Sequence, residues 1–593
     1  MFTTRPEIAA TFGVVASTHW IASQVGMSVL ERGGNAFDAA AATAFVLQIA
    51  EPHLNGPGGD APIILHAAKT HTQHVVCGQG VAPDRATIAA FEALGLDLIP
   101  GTGLLPAVVP GAFDAWCLLV RDWGTWELAD VLAYAISYAR TGIHIVPRIS
   151  ATIEGVRPLF EEEWPTSAAV FLPGGKVPGP GTLFARPALA NTWERLCREA
   201  ASGSTREARI DAARNAWYRG FVAEAIGRFF DSTDVLDASG RRHRGLLSAD
   251  DMARWAAPVE DPVSYDYGEH TVLKCGPWNQ GPVFLQQLAL LRGFDIGAMD
   301  PVGPDFVHTV VECAKLAYAD REAYYGDPEF VKVPLNELLS PTYNDKRREL
   351  VGERASMELR PGRIDGYEPR VDHNAAARAD MLTRAPGVGE PTVARLGVIG
   401  ADTCHIDVID RHGNMVSATP SGGWLQSSPV VPELGFCIGT RGQMFWLDTK
   451  HPNGLAPGKR PRTTLSPSFA LRGGKPWMAF GTPGGDQQDQ WSLTMFLRMA
   501  HHAMTIQQAI DAPGFHTEHW PSSFWPRVAR PGKLVLEGRY GHAVCDEMAR
   551  RGHLAELGPE WTEGRLSGAR IEADGQMFAG ANPRGMQGYA VGR

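Results

Sequence analysis

The chain predicts a mixed α+β protein. Ile21, Val25, Val29 and Leu30 recur at helical spacing ahead of an alanine-rich run, whereas Thr403 to Asp410 alternates polar and apolar residues as a strand does. Short strand candidates return near the end, at Lys533 to Leu536 and Gly568 to Ile571.

Gly33-Gly34 closes the first helix, where a left-handed cap is wanted, and Asn35 is placed to cap a second helix running through Ala39 to Gln48. A glycine-rich loop follows, Glu51-Pro52-His53-Leu54-Asn55-Gly56-Pro57-Gly58-Gly59-Asp60, which lets backbone approach a partner closely. It lacks the lysine of a phosphate-binding loop and the spacing of a dinucleotide fingerprint. His66, His71 and His74 stand nearby without a carboxylate or cysteine at ligand spacing, so no metal and no cofactor are expected.

From about 105 to 340 the pattern is helical with Pro/Gly breaks. One amphipathic helix is expected from Trp217 to Phe230 and another from Val307 to Ala319. Residues 353–395 are polar and rich in Arg, Asp, Pro and Gly, which predicts an exposed, mobile connection up to Asp402. Beyond Gly454, strands and loops precede helices beginning near Trp491 and Ile506.

Composition narrows the function classes. Of 593 residues, 44% are apolar and 20% charged, ordinary values for a folded protein, and the net charge of -10 comes without a basic cluster, against nucleic-acid binding. The eight cysteines form no C-x-x-C pair, favouring buried thiols in a reducing compartment. Met1 to Pro6 is not followed by an uninterrupted apolar run, and Ala39 to Ala50 is too short to span a bilayer. A cytoplasmic protein without membrane contact is therefore expected.

In the strand at Thr403, Cys404, Ile406 and Val408 share one apolar face and Thr403, His405 and Asp407 the other, which predicts a half-buried strand whose polar face looks into a site. Asp410 to Asn414 supplies turn residues, and Met415 to Thr419 runs back as its hairpin partner.

Together with Arg460-Pro461-Arg462-Thr463-Thr464-Leu465-Ser466-Pro467 and Gly481-Thr482-Pro483-Gly484-Gly485, this hairpin resembles the γ-glutamyltransferase family of N-terminal-nucleophile hydrolases. The Gly33 to Ala40 segment, the Glu51 to Gly59 loop, Trp217-Tyr218-Arg219-Gly220, Gly245 to Ser248 and Ala317 to Pro328 extend the resemblance over nearly the whole chain, in the family's order. It implies an αββα four-layer sandwich assembled from two subunits after the chain cuts itself between Asp402 and Thr403. Residues 1–402 would form the large subunit and 403–593 the small one, associated as a heterodimer around a small-molecule amide substrate. Thr403 would be the nucleophile, Ser421 its hydrogen-bonding hydroxyl, and Gly484 and Gly485 the oxyanion hole. The chemical logic is that a threonine hydroxyl needs a base, and cutting the chain creates one on the same residue, an α-amino group with a reference pKa of about 7.7–8.0.

The chain departs from the glutathione-acting members at the substrate anchors. Gln79 stands where they carry an arginine for the α-carboxylate, Trp446 where they carry an aspartate for the α-amino group, and Gly423 where they carry an asparagine. Thr463 and Thr464 keep hydroxyls in place of a serine pair. A neutral glutamine cannot supply an arginine's charge, so Arg441 and Arg462 are the candidate replacement anchors. γ-Glutamyl transfer and hydrolysis of another amide, as by cephalosporin acylases or an oxamate amidohydrolase, are the two enzymatic readings. A binding protein that kept the fold would not need Thr403, Ser421 and Gly484-Gly485 together.

Overall fold

The computed structural model describes residues 2–372, 374–380 and 403–593. Two seven-stranded antiparallel sheets dominate it. In the first, the strand Ile406–Asp410 pairs on one side with Gly13–Ser17 and on the other with Met415–Ala418, which in turn pairs with Ala61–Ala67 and then Thr72–Gly78. The C-terminal strand Tyr589–Gly592 joins the far side of Gly13–Ser17. In the second sheet, Lys475–Gly481 lies between Ser468–Arg472 and Ser567–Ile571.

Apolar alternation decides what each face meets. Val14, Ile64, Val75, Ile409 and Met415 from the first sheet share a cluster with Leu273, Phe469, Ala479, Ala569 and Met577 from the second, so the sheets pack face to face. On the other face of the first sheet, Cys404, Ile406 and Val408 join the side chains of helices Trp20–Glu31, Ala36–Ala50 and Ala112–Trp123. Met478 and Phe480 of the second sheet meet Pro282–Leu291, Pro304–Tyr324 and Gln488–His502.

The cap at Asn35 forms as the sequence implies: its side chain accepts from the Phe37 and Asp38 N–H groups, and Asp38 completes a capping box, an arrangement worth about 1 kcal/mol. Burial of all fifteen residues of Ala36–Ala50 explains the alanines, because only small side chains let the helix lie close to its neighbours.

Several expectations need correction. The Thr403 strand is not half-buried: every residue from Thr403 to Asp410 is buried, because the polar face packs on the second sheet. There His405 Nε2 meets Asp407 Oδ1 at 2.9 Å, and Ser567 Oγ donates to Asp407 Oδ2 at 2.7 Å. The single helix expected from Trp217 is two, Arg206–Tyr218 and Phe221–Ser232, broken at Arg219-Gly220. The stretch read as helical also contains the strands Val263–Tyr267 and His270–Lys274. The early part of the expected mobile connection is anchored: Gly362 N–H donates to Asp320 Oδ1 at 2.7 Å, Ala355 N–H donates to the Arg551 carbonyl at 2.8 Å, and Ile364 is buried. Residues 381–402, including Asp402, lie outside the described residues.

Candidate active site

Thr403 is fully buried and forms an antiparallel bridge with Ser421. Directly opposed residues carry their side chains on the same face, and Thr403 Oγ1 donates to Ser421 Oγ at 3.2 Å. Ser421 is in turn bridged to Asp60: the Ser421 N–H donates to the Asp60 carbonyl at 3.0 Å, and the Asp60 N–H donates to the Ser421 carbonyl at 2.8 Å. The glycine-rich loop exists for this approach. A Cβ on Gly59 would lie 2.0 Å from the Ser421 carbonyl oxygen, so only glycine permits the pairing. Gly423, at φ +63°, is held against the same loop, its own Cβ position 2.9 Å from the Gly58 and Gly59 backbone.

Gln79 is brought to this end of the sheet by register. Ala61 pairs with Gly78, so Asp60 and Gln79 are the next residues beyond that rung. Gln79 is buried; its Nε2 donates to the Gly80 carbonyl at 3.0 Å, and its Oε1 has no partner among the described residues.

The glycine pair comes from the second sheet. Its strand Lys475–Gly481 ends against His405, where a Cβ on Gly481 would lie 2.3 Å from the imidazole. The chain then turns through Gly484, at φ +130°, with the Trp491 ring behind it, and Gly485, at φ +52°. Side chains hold this turn by its carbonyls: Gln280 Nε2 donates to Gly485 O at 3.1 Å and Tyr318 Oη to Asp486 O at 2.7 Å. The Gly484 and Gly485 N–H groups have no acceptor among the described residues, which leaves two backbone donors for an incoming oxygen.

The anchor positions divide. Thr463 is tied to the glycine turn through Gln280, whose N–H donates to the Thr463 carbonyl at 2.9 Å; the Thr464 hydroxyl is buried with no partner among the described residues. Trp446 is buried beneath Arg527, whose guanidinium carbon lies 4.0 Å from its ring centre and whose Nη2 donates to the Gln443 and Phe445 carbonyls, both at 3.1 Å. Arg462 is engaged, with Nη2 on Glu322 Oε1 at 2.6 Å and Nη1 on the Arg321 carbonyl at 3.0 Å. Arg441 is different: its Nε donates to Asp60 Oδ2 at 2.6 Å, and neither Nη1 nor Nη2 has a partner among the described residues.

Sequence reasoning missed Glu51 as an individual residue. It lies directly behind Cys404, the neighbour of Thr403, accepting from Cys404 Sγ at 3.0 Å and Thr18 Oγ1 at 2.6 Å. Complete burial raises its carboxyl to about 7 against the hydrogen bonds that favour the anion. The signal available was an acidic residue just past the apolar C-terminal turns of a helix, and charges are seldom fully buried unless paired. Asp60 was missed similarly, as the last letter of a glycine loop. No group of three or more His, Cys, Asp or Glu side chains among the described residues is arranged to hold a metal ion.

Face-to-face antiparallel sheets, with a hydroxyl residue heading a central strand of one and a glycine turn following a strand of the other, are the arrangement of the N-terminal-nucleophile hydrolases. The chain belongs to the γ-glutamyltranspeptidase family, whose family model, Gamma-glutamyltranspeptidase, matches residues 22–592. The Glutathione hydrolase-like YwrD proenzyme of Bacillus subtilis is 30% identical over 601 aligned positions, covering 99% of each chain. A solved structure titled LmbA2991T421A superposes with a TM-score of 0.94 at 56% identity over all of both chains. A cephalosporin acylase from Bacillus halodurans superposes with a TM-score of 0.82 at 28% identity, covering 100% of this chain and 98% of that one.

Proposed function

We propose that this protein is a self-processing amidohydrolase or acyltransferase whose nucleophile is Thr403. The observation that carries the reading is the 3.2 Å contact between the Thr403 and Ser421 hydroxyls at the head of a buried central strand. In processing, the Thr403 hydroxyl attacks the Asp402 carbonyl carbon and the peptide C–N bond breaks. The Thr403 amine takes up the proton, and water cleaves the resulting ester. This leaves residues 1–402 and 403–593 as the two subunits of one heterodimeric αββα sandwich, and the freed amine is the base for turnover. Thr403 Oγ1 then attacks an amide carbonyl, whose developing oxyanion is met by the Gly484 and Gly485 N–H groups. The amine leaves, and water or a second amine resolves the acyl-enzyme.

Hydrolysis of a non-glutamyl amide is favoured over γ-glutamyl transfer. Gln79 is neutral and partly satisfied by its own neighbour, and Trp446 is occupied by Arg527, so neither supplies the charged recognition of a free amino acid. Intact mass spectrometry under denaturing conditions, with N-terminal sequencing, tests the reading. A fragment beginning Thr403-Cys404-His405 is expected in the wild type and absent in Thr403→Ala; an uncut wild-type chain after prolonged incubation overturns it.

A further inference from the structure

Trp491 is the fourth residue of the helix Gln488–His502, and helical side chains lean toward the N-terminus, so its ring falls back over the glycine turn that precedes the helix. The approach is close. A Cβ on Gly484 would lie 2.3 Å from Cζ3 and 3.0 Å from Cε3 of the indole, so the six-membered ring already fills the place of a side chain at 484. A second glycine, Gly564, at φ +79°, lies against the inner end of the same side chain, its Cβ position 3.3 Å from Trp491 Cγ. The loop that carries Gly564 is fixed on both flanks: the Arg565 N–H donates to Thr482 Oγ1 at 3.0 Å, and Glu563 holds His516 Nδ1 at 2.5 Å. The His516 ring in turn stands edge-on to the indole, 5.8 Å between centres.

Trp491 is 3% exposed, and its Nε1–H has no acceptor among the described residues. A buried indole N–H usually finds a partner, so the two glycines set this ring's place and no hydrogen bond of its own does. What the ring touches gives the arrangement a purpose. The Gly484 and Gly485 N–H groups lie in consecutive peptide planes. In the first plane the Pro483 carbonyl accepts from Thr482 Oγ1 at 2.8 Å; in the second the Gly484 carbonyl accepts from the Gln487 N–H at 2.9 Å. Because N–H and C=O are trans in a planar peptide, these bonds orient the two N–H groups within their planes. The joint between the planes is the Gly484 Cα, and without a Cβ it is the freest kind of joint in a backbone. Trp491 packs on that joint.

We propose that Trp491 is a positioning residue of the oxyanion site: its indole wedges the Gly484 Cα and so fixes the angle between the two N–H groups that receive the oxyanion. This rests on Gly484 and Gly485 being those donors. Trp491 acts through the turn, so its removal falls on kcat and leaves KM within about twofold.

The test uses the cleaved enzyme with 4-nitrophenyl acetate as the probe and Thr403→Ala as the blank. Trp491→Leu is expected to lower kcat about 10²-fold, the scale of losing one oxyanion donor, and Trp491→Phe, which keeps a ring without its outer atoms, about tenfold. In Trp491→Leu/Gly484→Ala the space vacated by the indole admits the alanine methyl, so the loss is expected to fall roughly tenfold short of the product of the two single losses. A general packing defect would instead multiply them. Intact mass checks that each variant is cut; should Trp491→Leu fail to fold or to be cut, Trp491→Phe alone and with Gly484→Ala carries the same comparison. Multiplied losses, or a kcat within about threefold of wild type without the indole, overturn the proposal. A Gly484→Ala kcat within about threefold of wild type overturns the oxyanion assignment instead. Absence of Thr403-dependent hydrolysis in the wild type overturns the nucleophile reading, and crystal structures then judge Trp491: Gly484 is expected to leave its φ of +130° once the indole is removed, and an unmoved turn overturns the proposal.

Discussion

Replacing Glu51 by glutamine is expected to change how stability depends on pH, and the size of the change follows from burial. The Glu51 carboxyl is raised from an ordinary 4.5 to about 7, chiefly by burial. Below 4.5 it is protonated in both the folded and the unfolded chain. As pH rises, the unfolded chain releases its proton first while the folded one holds it until about 7, so stability falls across that window. At about 1.4 kcal/mol for each tenfold step, the full loss is roughly 3 kcal/mol, of which about 2.5 kcal/mol falls between pH 5 and pH 8. For a chain of this size that corresponds to roughly 2 °C in Tm. Differential scanning calorimetry of wild type and Glu51→Gln should show the wild type losing that amount relative to the variant from pH 5 to pH 8. Parallel Tm curves, or a wild type that gains on the variant, would refute the buried neutral carboxyl.

Gly484→Ala would place a Cβ 2.3 Å from the Trp491 ring at a φ of +130°, so the turn must move. Steady-state kinetics should show kcat falling about 10²–10³-fold with KM changed much less; a kcat within threefold of wild type would exclude this turn as the oxyanion site. His516, edge-on to Trp491, is buried against Glu563 at 2.5 Å and Glu518 at 3.4 Å, and these carboxylates hold it up to about 10 despite burial, which lowers it. Its contribution is complete below the unfolded value of 6.5 and is lost as pH rises through about 10. The Tm difference between wild type and His516→Gln should accordingly be largest at pH 6 and shrink toward pH 10; a constant difference would mean the imidazole is not charged in the fold.

Local chemistry was legible wherever one segment decides it. The Asn35 cap, the helix after it and the hairpin partner at Met415 follow from residues a few positions apart. Thr403, Ser421 and the glycine pair became a candidate site only as a family pattern, since nothing local distinguishes a threonine proposed as nucleophile from one that merely begins a strand. What stayed hidden depends on neighbours remote in the chain. The second sheet buries the polar face of the Thr403 strand, 160 positions separating Ser567 from Asp407, and Asp60 lies 381 positions from the arginine it holds. Gly220, inside an apolar stripe that continues across it, marks the break between the two helices.

Strands from both sides of position 402 alternate within each sheet. In the first, Tyr589–Gly592 is followed by Gly13–Ser17, then Ile406–Asp410 and Met415–Ala418, then Ala61–Ala67; in the second, Ile8–Ala10 borders Met577–Ala581, and His270–Lys274 borders Ser468–Arg472. Two polypeptides produced by a cut after Asp402 would be interwoven rather than docked. Neither could dissociate, exchange with a partner from another molecule or refold by itself without dismantling both sheets. Such a break would therefore be a one-way event in the protein's history: the two pieces would have to be folded as one chain before the cut, because each completes the sheets of the other.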